Sequence, residues 1–251
     1  MPQKTFRMVV QYDGARFCGW QRQGEDPTVQ LALEQALSRM TGRAVVVHGS
    51  GRTDAGVHAL GQAAHVVLDT RLTADEIQKG LNALLPEDVA VTKCTLAAEG
   101  FHARYDAKSK LYAYHFASGS VRPVVGRQYC WWIKKPLDHA AMARAAEHFL
   151  GTRDFSAMEA AGSPRSHSVR TVMESRVTIH GQNAVYWVRA DGFLRHMVRN
   201  MAGTLAWCGT GRMDPDAVPA LLESRDRKKA PPTAPAKGLF LVEVEYGKER
   251  P

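Results

Sequence analysis

The amino-acid sequence predicts an α+β protein made of two similar halves. Three observations carry this. Segments with the two-residue alternation of strands and the 3.6-residue spacing of helices follow one another as β-α-β-β-α-β. The same order recurs in the second half. Capping and stop residues fall where that order needs helix ends. In the first half, "TFRMVVQYD" alternates as a strand, and "TVQLALEQALSRM" places Leu33, Ala36, Leu37 and Met40 on one helical face. The apolar runs "AVVVH" and "AAHVVL" read as buried strands on either side of a glycine-rich loop. "TADEIQKGLNALL" is a helix with a Thr73–Glu76 capping box at its start and Pro86 just past its end, and "VAVTKCTL" closes the half as a strand. That order is the split βαβ arrangement of ferredoxin-like folds.

The second half opens on the strand "KLYAYHFAS", with "YCWWI" as an additional one. "DHAAMARAAEHFLG" is a helix capped by Asp138 and stopped at Gly151. "RTVMESRVTIH" and "AVYWVRADGFL" are strands joined by the short turn "GQN". "RHMVRNMAGTLAWCG" is the last helix, with Met197, Met201 and Leu205 in one row and Arg195 and Arg199 on another side. "GLFLVEVEYG" is the final strand. The halves are expected at 1–105 and 106–251. Two polar, basic segments, "SAMEAAGSPRSHSVR" and "ESRDRKKAPPTAPAKG", read as exposed connections.

Composition narrows the function classes. Thirty-three Lys and Arg against 25 Asp and Glu give a net charge of +8. Seven of the basic residues, Arg104 and Lys110 among them, lie between Phe101 and Lys135 with one acid, Asp106, and with interleaved aromatic rings. Cations neutralise phosphates and flat rings stack on unpaired bases, so nucleic acid leads the candidate partners. No apolar run reaches membrane-spanning length, no signal peptide is evident, and the four separated cysteines offer no zinc or disulfide pattern. The cytoplasm is the expected compartment. The ten histidines include no close metal-binding motif.

The block "GSGRTDAGVHALGQ", residues 49–62, sets one carboxylate, Asp54, among four glycines with Arg52 two residues before it. An isolated loop aspartate usually stabilises a turn. The arginine adds a second meaning, since a cation beside a carboxylate keeps it ionised where water is excluded. Such a group can act as a nucleophile at an anomeric carbon without a metal. Tyr112 and Tyr114, two apart on a strand, point the same way.

The segments "YDGARFCGWQ", "GRTDAGVHA", "FHARYDAKSKLYAY", "DGFLRHMVRNMAG" and "GLFLVEVEY", in this order along nearly the whole chain, resemble the tRNA pseudouridine synthase A (TruA) family. The resemblance implies a pseudouridine synthase fold of two ferredoxin-like halves around a central cleft. It implies an enzyme that isomerises uridine to pseudouridine at positions 38, 39 and 40 of the tRNA anticodon stem-loop, in a homodimer, without cofactor or metal. It places the catalytic nucleophile on Asp54, a nucleotide-placing arginine on Arg52, a uracil-stacking ring on Tyr112, the carboxylate's cationic partner on Arg199 and a base-pocket wall on Leu239. Arg104, Lys110 and Arg195 are the further candidate substrate-binding cations. The chain departs from the family pattern at Met158, Glu159 and Ser163–Pro164, and at Leu111 and Ala113, which concerns how tRNA is gripped. An RNA-binding module without chemistry and a metal-dependent phosphodiesterase are the competing readings.

Overall fold

Phe6, Met8, Val10 and Tyr12 alternate along the first strand and are all nearly inaccessible to solvent, which fixes its register against the core. The computed structural model describes residues 3–160 and 167–247. The chain divides into two compact units, Met1–Lys108 with Leu241–Pro251, and Ser109–Phe240. The final strand therefore crosses back: from Leu241 onward it belongs with the first unit, where the order of elements alone had put it with the second half.

In the first unit, β1 (Gln3–Tyr12), α1 (Val29–Thr41), β2 (His48–Gly49), β3 (His58–Asp69), α2 (Ala74–Leu84) and β4 (Val89–Leu96) follow in the predicted order. The sheet runs β4-β1-β3, with antiparallel pairs, and β2 also bonds to β3. Helix α1 starts at Thr28, whose hydroxyl accepts from the Leu31 N–H, and ends at Gly42 in the left-handed conformation. The Thr73–Glu76 capping box on α2 is present in both directions. Leu33, Ala36, Leu37, Ile77 and Leu81 line the core side of the two helices.

Two strand boundaries differ from the sequence reading. "AVVVH" pairs only at His48–Gly49, against His65 and Ala64. The β3 edge beyond that point is occupied by β10 (Leu239–Tyr246), whose Val242 backbone lies against Gly61. Conversely, β3 begins at His58, inside the glycine-rich block, because Tyr12 of β1 pairs with Ala59. The register slips between Val10 and Tyr12, a bulge that bends β3 just after the aspartate loop.

In the second unit, β5 (Ala107–Ser118), β9 (Asn183–Ala190), β8 (Val169–His180) and β7 (Gly151–Asp154) form the sheet in that order, and β6 (Trp131–Ile133) pairs parallel to β5. Helix α3 (His139–Glu147) is capped by Asp138 as expected, but it stops before Gly151, which opens β7, a strand that a glycine and three polar residues did not announce. Helix α4 (Met197–Gly209) buries Met197, Met201 and Leu205 completely. It begins after Arg195, because His196 takes a positive φ of 61°. Arg195 and Arg199 are therefore not on one helix face. Nor is α4 the last helix, since α5 (Val218–Glu223) follows.

The two segments read as exposed connections are partly packed. Ala157, Met158 and Ala234 are fully buried. Ser163 and Pro164 lie outside the described residues. Among the described residues no helix is long and apolar enough to cross a membrane.

Candidate active site

In the first unit, the loop 50–57 between β2 and β3 carries Asp54, and it is built against the residues 12–21 that follow β1. The Tyr12 hydroxyl meets Thr53 Oγ1 at 2.9 Å in a buried contact. Burial pushes the Tyr12 phenol up to about 12, with the hydrogen bonds to Thr53 and Gln62 opposing, so it stays neutral and able to donate. The Trp20 N–H donates to the Thr53 carbonyl at 3.2 Å, and the Val57 N–H closes the turn on the Asp54 carbonyl at 3.1 Å. On the other side, the Ser50 N–H reaches the Ala63 carbonyl, and the Gln62 amide spans from Ser50 Oγ to the Gly51 carbonyl.

Two glycines let these segments touch. A Cβ on Gly14 would stand 2.0 Å from the Val57 oxygen. A Cβ on Gly19 would stand 2.5 Å from the Thr53 oxygen and 3.1 Å from the Asp54 carbonyl carbon, and Gly19 also holds φ at +95°. The backbone on both sides of Asp54 is thus fixed by the segment 12–20, much earlier in the chain. Asp54 itself is half-buried.

Arg52 is exposed, and its Nε donates to Gln21 Oε1 at 3.2 Å. Arg104 is exposed too, with its guanidinium carbon 5.8 Å from the centre of the Tyr105 ring.

In the second unit, Tyr112 lies on β5 opposite Val188 and meets the Phe193 ring edge-on, with centroids 5.0 Å apart. Lys110 precedes it on the same strand, half-buried and opposite Ala190. Tyr114 is fully buried, and its hydroxyl donates to the Pro235 carbonyl at 2.8 Å. Arg199, in the first turn of α4, donates from Nε to the Ala234 carbonyl at 2.8 Å, and its own carbonyl accepts from the Ala234 N–H at 3.1 Å. Leu239 is buried at the start of β10. Arg195 is exposed, ahead of the helix.

The proline-rich connection is tied to α4 by a buried polar network that sequence reasoning missed. Asn200, inaccessible to solvent, donates from Nδ2 to the Met158 carbonyl at 2.7 Å. Its Oδ1 accepts from Thr233 Oγ1 at 2.7 Å and from Arg227 Nη2 at 3.1 Å. Arg227 also holds the Ala230 and Pro231 carbonyls at 3.0 Å. A charged, proline-rich composition hides this, since one asparagine inside an apolar helix is the sole outward sign.

Comparison with known proteins gives this geometry its context. The family model described as tRNA pseudouridine synthase matches residues 8–106 and 145–247. The matched segments include Arg52, Asp54, Arg104, Arg195, Arg199 and Leu239, whereas Lys110 and Tyr112 fall between them. The chain belongs to the tRNA pseudouridine synthase family. Among its relatives, the tRNA pseudouridine synthase A of Rhodospirillum rubrum is 44% identical over 242 residues, covering 96% of this chain and 87% of the relative. That of Moorella thermoacetica is 45% identical over 96% of this chain and 98% of the relative. That of Maridesulfovibrio salexigens is 42% identical over 97% and 91%.

Proposed function

We propose that this chain converts uridine to pseudouridine in tRNA, at positions 38, 39 and 40 of the anticodon stem-loop, with Asp54 as the nucleophile. The observation that carries the reading is the loop itself. Thr53 and Asp54 are held by Tyr12, Gly19 and Trp20, so the carboxylate projects from a backbone that a plain turn would leave mobile. Preorganisation of this kind lowers the cost of reaching an attack geometry.

The reaction breaks the N1–C1′ glycosidic bond and forms C5–C1′. C5 loses a proton and N1 gains one, so atoms and charge balance and no redox partner enters. Asp54 either attacks C1′ of the ribose, releasing uracil, or adds to C6 of the ring; both routes need one ionised carboxylate and a base taken out of the stack. The remaining roles follow position in the family motifs. Tyr112 stacks on the detached uracil while tolerating its rotation, Arg199 is the cation for the Asp54 carboxylate, and Leu239 forms an apolar wall against the base. Arg52 places the flipped nucleotide. Arg104, Lys110 and Arg195 hold phosphates, in keeping with the net charge of +8. The working form is proposed to be a cytoplasmic homodimer, which sedimentation of the purified protein tests for its oligomeric part.

The test is nucleoside analysis of an unmodified tRNA transcript carrying uridine at 38, 39 and 40, incubated with wild-type protein or Asp54→Asn in the presence of chelator. Pseudouridine is expected at those positions from the wild type alone. Turnover by Asp54→Asn near the wild-type rate removes Asp54 from the chemistry. Binding without pseudouridine from either protein favours an RNA-binding module.

A further inference from the structure

Gln21, the last residue of the first motif, has no part in the chemistry proposed above, yet it is the residue that Arg52 touches. Its Oε1 accepts from Arg52 Nε at 3.2 Å, and its Nε2 donates to Gln30 Oε1 at 2.8 Å. Gln30 is nearly inaccessible, and both ends of its amide are fully used. Its Oε1 also accepts from the Arg22 N–H at 2.9 Å, while its Nε2 donates to Glu34 Oε1 at 2.8 Å and to the Val47 carbonyl at 3.1 Å. Glu34, 5% exposed, accepts in addition from the Val47 N–H at 3.0 Å and pairs with Arg22.

This chain of contacts has a direction. Glu34 as a carboxylate only accepts, and Arg52 only donates; the two amides between them do both. With an acceptor at one end and a donor at the other, each amide has one satisfying orientation. Turning Gln30 over would set its oxygen against the Glu34 carboxylate and the Val47 carbonyl. Turning Gln21 over would present an NH2 group to a guanidinium. The buried carboxylate on α1 therefore determines that an oxygen faces Arg52. Because the grip is on Nε, the two terminal nitrogens of this exposed guanidinium remain for bidentate recognition of a phosphate or base edge.

We propose that Gln21, oriented through Gln30 by Glu34, is the positioning residue that holds Arg52 ready for the flipped nucleotide. This rests on the role of Arg52 given above, and the experiment separates the two. Pseudouridine formation on an unmodified tRNA transcript is measured at saturating and limiting tRNA for wild type, Arg52→Ala, Gln21→Leu, Gln21→Glu and the double variant Gln21→Leu with Arg52→Ala. Gln21→Leu is expected to lower kcat about ten-fold, the worth of one hydrogen bond to a charged group, with KM changed less than two-fold and the melting midpoint held, since Gln21 is half-exposed. Gln21→Glu keeps an acceptor toward Arg52 in either orientation and is expected to recover most of that loss. In the double variant the Gln21 effect should vanish, because its target is gone. If Gln21→Leu multiplies its full factor onto Arg52→Ala, or lowers the melting midpoint in step with activity, the relay is only structural and the proposal fails. If Arg52→Ala turns over like the wild type, the proposal also fails, and the fault lies in the role of Arg52 rather than in the relay.

Discussion

Replacing Gly19 with alanine is the sharpest test of the idea that the first motif exists to hold the aspartate loop. Two costs arise. Gly19 sits at φ +95°, a conformation that strains an L-residue by about 1–3 kcal/mol. The new methyl would also lie 2.5 Å from the Thr53 oxygen, 0.9 Å inside the 3.4 Å at which ordinary contact begins. The obstructing atoms are backbone, at Thr53, Asp54 and Ala55, so no side chain can swing away. The loop must retreat by roughly 1 Å, the scale of misplacement that costs about 100-fold in rate. Gly24→Ala supplies the control, because Gly24 also has positive φ, +55°, but nothing lies within 4 Å of its added Cβ. The expected outcome is a melting midpoint lowered by roughly 4–8 °C for Gly19→Ala, from about 2 kcal/mol at about 2–4 °C each, and pseudouridine formation cut by about two orders of magnitude well below that midpoint. Gly24→Ala should lose stability without losing rate. A Gly19→Ala enzyme that turns over within three-fold of the wild type would mean that Asp54 does not depend on the close approach.

Three further outcomes follow from the same geometry. Asn200→Ala removes the acceptor shared by Thr233 and Arg227 and the donor to Met158; thermal melting should register a loss of about 2–4 kcal/mol, the scale of buried polar groups left unsatisfied. Thr73→Ala deletes an exposed capping box on α2 and should cost about 1 kcal/mol with the rate of pseudouridine formation unchanged. Burial, helped by His102 and His48, lowers His65 to about 4, so it stays neutral when folded while the unfolded chain takes up a proton near pH 6.5. Stability from this site is therefore fully present above pH 6.5 and is lost as pH falls toward 4, at up to about 1.4 kcal/mol per unit. Denaturation at several pH values should show that His65→Asn flattens this part of the profile.

What could be read from the sequence was whatever local chemistry decides. The Thr73–Glu76 box, the Asp138 cap, the α4 row of Met197, Met201 and Leu205, and the strand "VAVTKCTL" depend on residues within a turn or two of each other. The misplaced boundaries are those set by distant partners. Strand β2 is short because β10 returns to the β3 edge, and β3 starts early because Tyr12 pairs with Ala59. His196 ends the reach of α4 through a backbone conformation that its side chain does not advertise. At the candidate site the glycine-rich block sets Arg52 two residues before Asp54 without naming what holds the arginine, whereas the structure gives Arg52 to Gln21.

That last difference bears on how the two motifs of the first unit depend on each other. An aspartate in a glycine-rich loop has little intrinsic stiffness, since glycine has the widest choice of backbone conformations and loses the most freedom when the loop is fixed. The stiffness is imported. Tyr12, Gly14, Gly19 and Trp20 fix the backbone around the carboxylate, and Gln21 fixes the arginine beside it. The five residues use four devices: a neutral phenol at Tyr12, a missing Cβ at Gly14 and Gly19, a main-chain N–H at Trp20 and an amide oxygen at Gln21. A substitution in 12–21 should therefore disturb Asp54 through its backbone or Arg52 through its side chain, and the two can be separated. Backbone variants such as Gly19→Ala should lower stability and rate together, whereas Gln21→Leu should lower rate alone. Equal losses of stability in both would indicate a common packing unit rather than two independent supports.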